Sequence, residues 1–336
     1  MQCSFFNEPD LYSRLDKRGD PLSKLNSIIP WEEMRPILSP VTFDASPKGG
    51  RPSIDPLILM KCLILQSLYN ISDESCEYQI NDRLSFKRFL GLDASTKSPD
   101  EKTIWLFRER LKSAGLHTEI FNWFSNHIDA AGYEASKGQI VDASFVPTHK
   151  PTGKHKKQLK NGEELKPSQI SQIDADATFT KKNAQTYHGY KNHINIDTEH
   201  KIIRNQSTTT ASCHDSVEFE NLILADGCKD VFADSAYRSK DAEQSLSNKG
   251  LNSKIHERSY RNNKLTDDQK ASNKEKSKIR VRVEHIFGNI VNSMGGMMIH
   301  TIGIARAEVK VTFKNLAYNM QRFVFLESKK TRDNCA

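Results

Sequence analysis

The chain has 336 residues and a formal net charge of +7, with 37% hydrophobic and 27% charged side chains. Such a composition is typical of a soluble globular protein that buries a core, and it excludes a disordered chain. The longest apolar stretch, Pro56–Tyr69, contains Lys61 and is shorter than the roughly 20 apolar residues that cross a bilayer. The first residues lack the pattern of a signal peptide. We therefore expect a cytoplasmic protein without membrane contact.

The cysteines and histidines do not favour a structural metal site. The six cysteines are scattered without a C-x-x-C pair, and the eleven histidines are dispersed along the chain. We therefore expect the thiols to be reduced, as in a cytosolic protein.

The positive charge is concentrated in the second part of the chain. Residues 1–135 carry 16 Lys+Arg and 19 Asp+Glu, whereas residues 136–336 carry 33 and 23. A basic surface can serve solubility alone. Its concentration in one part of the chain favours a polyanionic partner for that part.

The N-terminal part contains predicted helices. Residues 1–50 read as irregular, with Gly19-Asp20-Pro21 as a turn. From Pro56 onward, apolar residues recur at three- and four-residue steps, which predicts a buried helix. Ser72 is a suitable N-cap for a second helix that runs through Asp82.

The next helix has a complete start signal, with Ser98 as the cap, Pro99 at the first helical position and Glu101 three residues after the cap. Basic residues, among them Arg108 and Lys112, occupy much of its surface. Short helices around a tight break that end in a helix with a basic face are typical of a DNA-binding helix-turn-helix. An ordinary amphipathic helix in a small bundle explains the same pattern, so both interpretations stay open. A further helix is predicted at 119–131.

After Gly132 the pattern changes to strands that alternate with helices. We predict strands at 138–146, 188–196, 201–209, 230–234 and 253–256, and helices at 215–224, at 240–248 and from Asp267 onward. Residues 150–185 are polar and rich in lysine, which predicts a loop.

The order β-β-β-α-β-α-β-α predicts a mixed α/β sheet, in the arrangement of the RNase H-like nucleotidyl-transfer fold. We therefore predict two domains. The first is an N-terminal all-α domain at 1–135. The second is an RNase H-like mixed-sheet domain at 136–328, which includes the lysine-rich loop at 150–185.

Two aspartates interrupt apolar strands. Asp142 lies in the run IVDASF, and Asp234 ends the run DVFAD. Burying a carboxylate among apolar residues is unfavourable unless it is paired or binds a metal. Carboxylates that converge also repel one another, so a cluster needs cations, and hard oxygen ligands select Mg²⁺ or Mn²⁺. The alternative for each aspartate alone is a turn-capping or ion-paired residue at a strand end.

A third acid, Glu284, lies on the last predicted helix beside apolar Val283 and Ile286. Residues 254–282 carry ten Lys+Arg and four acids. This pattern predicts a basic surface that brings DNA phosphates to a metal ligand. A solvated basic helix with internal ion pairs is the alternative.

These motifs together resemble a known family. IVDASF around Asp142, DVFADSAYRS around Asp234 and VRVEHIFG around Glu284 resemble the three motifs of DDE transposases, specifically those of insertion sequences of the IS-five group. PDEKTIWLFRERL at Pro99 and GYKNHINID at Gly189 resemble the same group, and the resemblance covers nearly the whole chain.

The resemblance implies Asp142, Asp234 and Glu284 as catalytic, metal-binding acids, with Mg²⁺ as the cofactor and Mn²⁺ as a substitute. Arg280 fits the arginine of the related Y-R-E-K signature. The tyrosine and lysine of that signature would fall at Ser277 and Val291, and Lys278 or Arg282 are candidates to replace them.

The implied protein is a nucleoid-associated transposase that binds the terminal inverted repeats of an insertion sequence and catalyses metal-dependent DNA cleavage and strand transfer. Residues 1–135 would recognise DNA ends, 136–328 would be catalytic, and a homodimer would act on double-stranded DNA. The expected DNA contacts are Arg108, Lys112, Lys191, Arg238, Lys276, Lys278, Arg280 and Arg282.

Two other functions remain compatible with the sequence. One is a catalytically inactive DNA-binding relic of a transposase. The other is a nuclease of the same fold that acts on hybrid or branched substrates, although a helical N-terminal part is not needed for that activity.

Overall fold

A computed structural model describes residues 8–42, 53–93, 95–150, 166–170, 172–182, 184–225, 228–259 and 264–335. The chain forms two compact units. One comprises Met1–Trp123 together with Leu316–Ala336, and the other comprises Phe124–Asn315. Among the described residues, no helix is long and apolar enough to cross a membrane.

The first unit is helical. Its helices are Glu8–Lys17 (α1), Pro21–Ile28 (α2), Arg35–Leu38 (α3), Pro56–Tyr69 (α4), Asp73–Asp82 (α5), Leu84–Leu90 (α6) and Glu101–Ser113 (α7), followed by Leu116–Ala130 (α8), which reaches into the second unit. Short 3₁₀ turns lie at Trp31–Met34 and Ser39–Val41.

The prediction of an irregular segment at 1–50 was wrong for most of its described residues, because α1, α2 and α3 lie there. The misread signal is Gly19-Asp20-Pro21. Asp20 accepts a hydrogen bond from the Leu22 backbone N–H at 3.0 Å, and Pro21 occupies the first helical position. The same residue types that make a turn therefore begin α2.

The predicted helices at Pro56 and Ser72 are confirmed. In α4 the buried residues occur around the whole helix, from Leu57 to Leu68. Ser72 caps α5 by accepting a hydrogen bond from the Ser75 backbone N–H at 3.1 Å. Both helices form because local capping and apolar burial favour the same boundaries.

Helix α7 begins two residues later than predicted. Its N-cap is Asp100, which accepts a hydrogen bond from the Thr103 backbone N–H at 2.8 Å. The hydroxyl of Ser98, the predicted cap, instead accepts a hydrogen bond from the Asn81 side chain at 2.7 Å. Both residue types suit a cap, and this tertiary contact decides between them.

Arg108 of α7 points into the first unit, away from solvent. The residue is 4% exposed, and its guanidinium makes two 2.7 Å hydrogen bonds to the two carboxylate oxygens of Asp73 on α5. It also donates to Gln66 at 3.2 Å. Such a two-point ion pair joins α5 to α7 and leaves little of the arginine for DNA.

We predict that Arg108→Ala lowers the free energy of unfolding by about 2–4 kcal/mol, because it leaves the largely buried Asp73 carboxylate without its main partner. Urea denaturation followed by circular dichroism measures the change. Lys102→Ala, an exposed position on the same helix, is the control and should change stability by less than about 1 kcal/mol. Equal effects of the two substitutions would contradict the structural role of Arg108.

The second unit is built on a six-stranded sheet. Its strands are Gln139–Pro147 (β1), Thr178–Lys182 (β2), Gln185–Asp197 (β3), Ile203–Thr210 (β4), Asp230–Ala233 (β5) and Asn252–Ser253 (β6). The predicted strands are present, and β2 was not predicted.

Strand β1 occupies a central position in the sheet. It pairs with β3 in antiparallel orientation and with β5 in parallel orientation, and β5 pairs in parallel with β6. The long strand β3 pairs on its other side with β2 and then with β4. Because antiparallel and parallel pairs meet at β1, the sheet is mixed.

The loop predicted at 150–185 is interrupted by regular structure. Residues 151–165 lie outside the described residues, whereas a helical turn forms at Pro167–Ile170 (α9) and β2 extends the sheet. The loop interpretation is therefore wrong for Thr178–Lys182. The segment TFTKK has Phe179 as its single apolar residue and therefore no apolar period, so the strand is stabilised by backbone pairing with β3.

Gly189 allows β1 and β3 to approach closely. Its φ is +143°, and a Cβ atom built there would lie 2.2 Å from the carbonyl oxygen of Val146. A residue with a side chain cannot occupy this position without moving one of the strands.

Four further helices complete the second unit. These are Phe219–Leu222 (α10), Lys240–Asn248 (α11), Asp267–Asn292 (α12) and Ile304–Cys335 (α13), the last of which continues into the first unit. The core on one side of the sheet includes Val141, Val231 and Ala233. The mixed sheet with its helices confirms the predicted α/β, RNase H-like fold with a helical N-terminal region.

Candidate active site

Asp142 and Asp234 occupy equivalent positions on two neighbouring strands. In the parallel pair of β1 and β5, Val141 lies opposite Ala233. Asp142 is the next residue of β1, and Asp234 follows the last residue of β5 with its backbone still extended. Val141 and Ala233 both face the core. Because successive side chains alternate between faces, both aspartates project from the opposite face. The sheet therefore brings together two acids that are 92 positions apart in sequence.

Each aspartate also makes a local hydrogen bond. Asp142 Oδ1 accepts from the Ala143 backbone N–H at 2.8 Å, and Asp234 Oδ1 accepts from the Ser235 backbone N–H at 2.6 Å. Asp234 is thereby the cap of a 3₁₀ turn, Ser235–Tyr237. The alternative of a turn-capping aspartate is thus realised at Asp234, and it uses one of the two carboxylate oxygens.

Helix α12 supplies the third acid and a cation. The helix packs against β1 and β5. Arg280 Nη1 donates to Asp142 Oδ2 at 2.9 Å, and Arg280 Nη2 lies 3.6 Å from Glu284 Oε1. The Glu284 side chain is 59% exposed, whereas those of Asp142 and Arg280 are 21% and 19% exposed. One guanidinium therefore joins the strand acid to the helix acid.

The start of α12 follows from its sequence. Thr266 and Gln269 form a reciprocal capping box, and acidic Asp267 and Asp268 occupy the first turn. Val283 and Ile286 are buried and hold the helix on the sheet. Arg280 and Glu284, four residues apart, consequently lie on the same side of the helix, where they can interact.

The three acids supply oxygen ligands of the kind that Mg²⁺ and Mn²⁺ prefer. Among the described residues, no three His, Cys, Asp or Glu side chains are gathered closely enough to hold a metal ion. Instead, the positively charged Arg280 lies where a cation can contact both Asp142 and Glu284. The chemistry of the three acids thus suits a hard divalent cation, whereas their arrangement in this structure has Arg280 as the positive charge beside Asp142 and Glu284.

Two further residues lie close to the acids, and neither was identified from the sequence. Tyr237 is 1% exposed, and burial, followed by the charges of Asp142, Asp215 and Asp234, raises its pKa well above the usual value. His256 has a lowered pKa, first because of burial and then because of the Arg280 charge. Tyr237 lies in the DSAYRS motif that begins with Asp234, so its place in that motif could have indicated that it lies near the acids.

The residues at the positions of the Y-R-E-K signature match it only in part. Ser277 donates its hydroxyl hydrogen bond to the Asn273 carbonyl at 2.8 Å, and Val291 is 57% exposed. Lys278 pairs with Glu275 at 2.7 Å, and Arg282 donates to the Thr198 carbonyl. Of these α12 residues, Arg280 is the cation paired with the acids.

Lys191, predicted as a DNA contact, is buried. It is 8% exposed, and its Nζ donates to the Cys213 carbonyl at 2.6 Å and to Asp215 Oδ1 at 2.7 Å. A phosphate would have to replace this ion pair. We therefore omit both Lys191 and Arg108 from the DNA-contacting residues proposed below.

Other predicted contacts are engaged in ion pairs nearer the surface. Arg238 Nη1 lies 2.8 Å from Glu257 Oε1, and Lys276 lies 3.6 Å from the same atom. Lys112 pairs with Glu109 at 2.5 Å on α7. These ion pairs hold the basic side chains in place and neutralise part of their positive charge.

A polar cavity of about 640 Å³ is lined in part by Arg238, which follows Asp234 by four residues in the sequence. Its lining includes four cations and two acids: Arg238, Lys240, Arg258, Lys264, Glu243 and Glu257. Both acids contact Arg238, Glu243 at 3.7 Å and Glu257 at 2.8 Å. The lining is therefore positive overall and suits an anion such as a phosphate.

The fold and the acids of neighbouring strands define an RNase H-like α/β domain with an acidic site. Residues 134–320 match a family model described as a transposase DDE domain, and residues 9–110 match one described as a transposase domain (DUF772). The first match covers more than half of the chain, so the chain belongs to the DDE transposase family. It is therefore a transposase, an enzyme whose partner is DNA.

Proposed function

We propose that this transposase belongs to the IS-five group, binds the terminal inverted repeats of its insertion sequence, and catalyses Mg²⁺-dependent strand cleavage and strand transfer. The observation that carries the proposal is the convergence of the acids. Asp142 and Asp234 project from one face at equivalent strand positions, and Arg280 joins Asp142 to Glu284.

In this proposal Asp142, Asp234 and Glu284 hold the divalent cations, with Mn²⁺ able to replace Mg²⁺. When bound, a pair of such cations activates the attacking water or 3′-hydroxyl and stabilises the leaving oxygen of a phosphodiester. The carboxylates act as ligands. The contribution of the chain is to hold Asp142 and Asp234 at the sheet and Glu284 on α12, and to align the DNA phosphate.

Local hydrogen bonds hold the two aspartates of the site in place. Asp234 is fixed by its hydrogen bond from Ser235, and Asp142 by its hydrogen bond from Ala143. Glu284 is the most exposed of the three acids, so it can adjust when DNA arrives. Buried Tyr237 contributes a neutral wall beside the acids, and burial with the neighbouring carboxylate charges raises its pKa further.

We propose that residues 136–328 form the catalytic domain and that 1–135 contribute to recognition of DNA ends. Within the catalytic domain, the cavity beside Arg238 would receive the DNA backbone. Lys240 and Lys264 are its exposed lysines, and Lys278 and Arg282 extend the basic surface along α12. Lys112 remains a candidate contact of the N-terminal domain.

We predict that Asp142→Asn, Asp234→Asn or Glu284→Gln each reduces strand cleavage by at least about 100-fold, because each removes a cation ligand. The assay is nicking and joining of cognate end DNA in Mg²⁺ and in Mn²⁺. Filter binding or fluorescence anisotropy in the absence of metal should show retained DNA affinity.

A matched control for these acids is Glu275→Gln, an exposed acid on α12 that pairs with Lys278. It should leave cleavage unchanged. Full cleavage by any one of the three acid variants would exclude that residue from the catalytic site. A wild-type protein that never nicks cognate ends in Mn²⁺ would instead be a DNA-binding relic.

The combined substitution Lys240→Gln and Lys264→Gln should weaken DNA binding and reduce its salt dependence. Each lost phosphate contact lowers the slope of log K against log salt by about 0.9, so two lysines predict a reduction of about 1.8. Titrations at several salt concentrations measure the slope.

The control is Lys229→Gln with Lys249→Gln, which removes the same charge from two exposed lysines outside the cavity. Its slope should stay near that of the wild type. The same slope in both double variants would show that net charge, rather than the cavity, determines binding.

We also propose a homodimer on DNA, because transposition acts on two element ends. Light scattering of the complex with cognate end DNA should give the mass of two protomers and two duplexes. A complex of one protomer that still joins both ends would contradict this proposal.

A further inference from the structure

Arg280 lies between two acids that belong to different elements. Its contacts are 2.9 Å to Asp142 of β1 and 3.6 Å to Glu284 of its own helix. At 19% exposure its side chain is largely removed from water. The guanidinium therefore neutralises part of the negative charge that the two carboxylates bring together.

One feature of the surroundings of Arg280 is unfavourable for a guanidinium. Its Nε atom is buried, with no hydrogen-bond partner among the described residues. A buried donor without a partner disfavours a guanidinium at this position, so the attraction of Arg280 to the two carboxylates must offset that cost.

A divalent cation and Arg280 would use the same oxygens. Asp142 Oδ1 already accepts from Ala143, and Oδ2 accepts from Arg280. A cation that binds Asp142 and Glu284 must therefore compete with the guanidinium for oxygen atoms and for charge. Arginine binds phosphate well through its planar fork, so a DNA phosphate offers it an alternative partner.

We propose that Arg280 is a positioning residue that couples metal binding to DNA binding. In the free protein it occupies the carboxylates and weakens their affinity for divalent cations. When DNA is bound, the guanidinium contacts a phosphate and releases Asp142 and Glu284 to the cation. This inference rests on the proposed function of the three acids.

The coupling must be reciprocal, because both ligands act on one side chain. DNA strengthens the binding of the cation, and the cation strengthens the binding of DNA by the same factor. Replacing Arg280 by a neutral side chain removes the competition. The variant therefore binds the cation more tightly than the wild type in the absence of DNA, which is opposite to the result expected if Arg280 merely supported the structure of the site.

The experiment measures Mn²⁺ affinity by electron paramagnetic resonance of free Mn²⁺, with the full-length wild type and Arg280→Gln, each with and without saturating cognate end duplex. Low temperature slows cleavage, and recovered duplex is checked on a gel for intact strands. We expect DNA to tighten Mn²⁺ binding by about tenfold or more in the wild type, a factor that corresponds to typical couplings.

For Arg280→Gln we expect about tenfold tighter Mn²⁺ binding without DNA and a much smaller effect of DNA. Arg280→Met, which keeps an extended side chain, provides a second neutral variant if the first does not fold. The matched control is Lys270→Gln, which removes one positive charge from the same helix at an exposed residue that pairs with Asp267. This control should retain the wild-type coupling.

Equal or weaker Mn²⁺ binding by both folded Arg280 variants in the absence of DNA would overturn the inference. The same would follow if Lys270→Gln changed the affinity as much as Arg280→Gln, since net charge would then be the cause. A wild type that binds Mn²⁺ neither alone nor with DNA would overturn the proposed function of the acids as well, so the two failures are distinguishable.

Discussion

Carboxylates that share one face of neighbouring strands repel each other, and a cation nearby relieves that repulsion. This constraint applies to the three acids of the second unit. The parallel register of β1 and β5 sets Asp142 and Asp234 side by side, and α12 packs on both strands. Arg280 provides positive charge where Asp142 and Glu284 meet. The site is thus an acidic cluster whose charge is already partly balanced by the protein.

Helix α12 combines two functions that the sequence pattern shows only as one basic segment. Its buried Val283 and Ile286 attach it to the sheet, and Arg280 and Glu284 face the acids. Exposed Lys278 remains at the surface. Because a helix repeats every 3.6 residues, neighbouring basic residues face different directions, and a basic run need not be a single DNA-binding surface. The burial of Arg108 and Lys191 in ion pairs makes the same point elsewhere in the chain.

Much of the fold was predictable because local signals and burial agreed. Helices α4, α5, α11 and α12 begin where the apolar period or a capping residue indicated, and the strands around both aspartates were identified by their apolar runs. Sequence signals that are compatible with two kinds of local structure were less informative. Asp20 and Pro21 begin a helix where a turn was predicted, Asp100 rather than Ser98 caps α7, and β2 has too little apolar period to be recognised.

For the candidate site, the sequence by itself determined which residue types are present: acids within apolar strands, a glutamate on a basic helix, and the motifs around them. Only the tertiary structure decided which of them meet. The register that aligns Asp142 with Asp234 depends on backbone pairing between distant segments, and the direction of Arg280 depends on how α12 packs. The spacing of residues along the sequence determines neither the strand register nor the direction of Arg280. A one-residue change of register, for example, moves a side chain to the other face of the sheet.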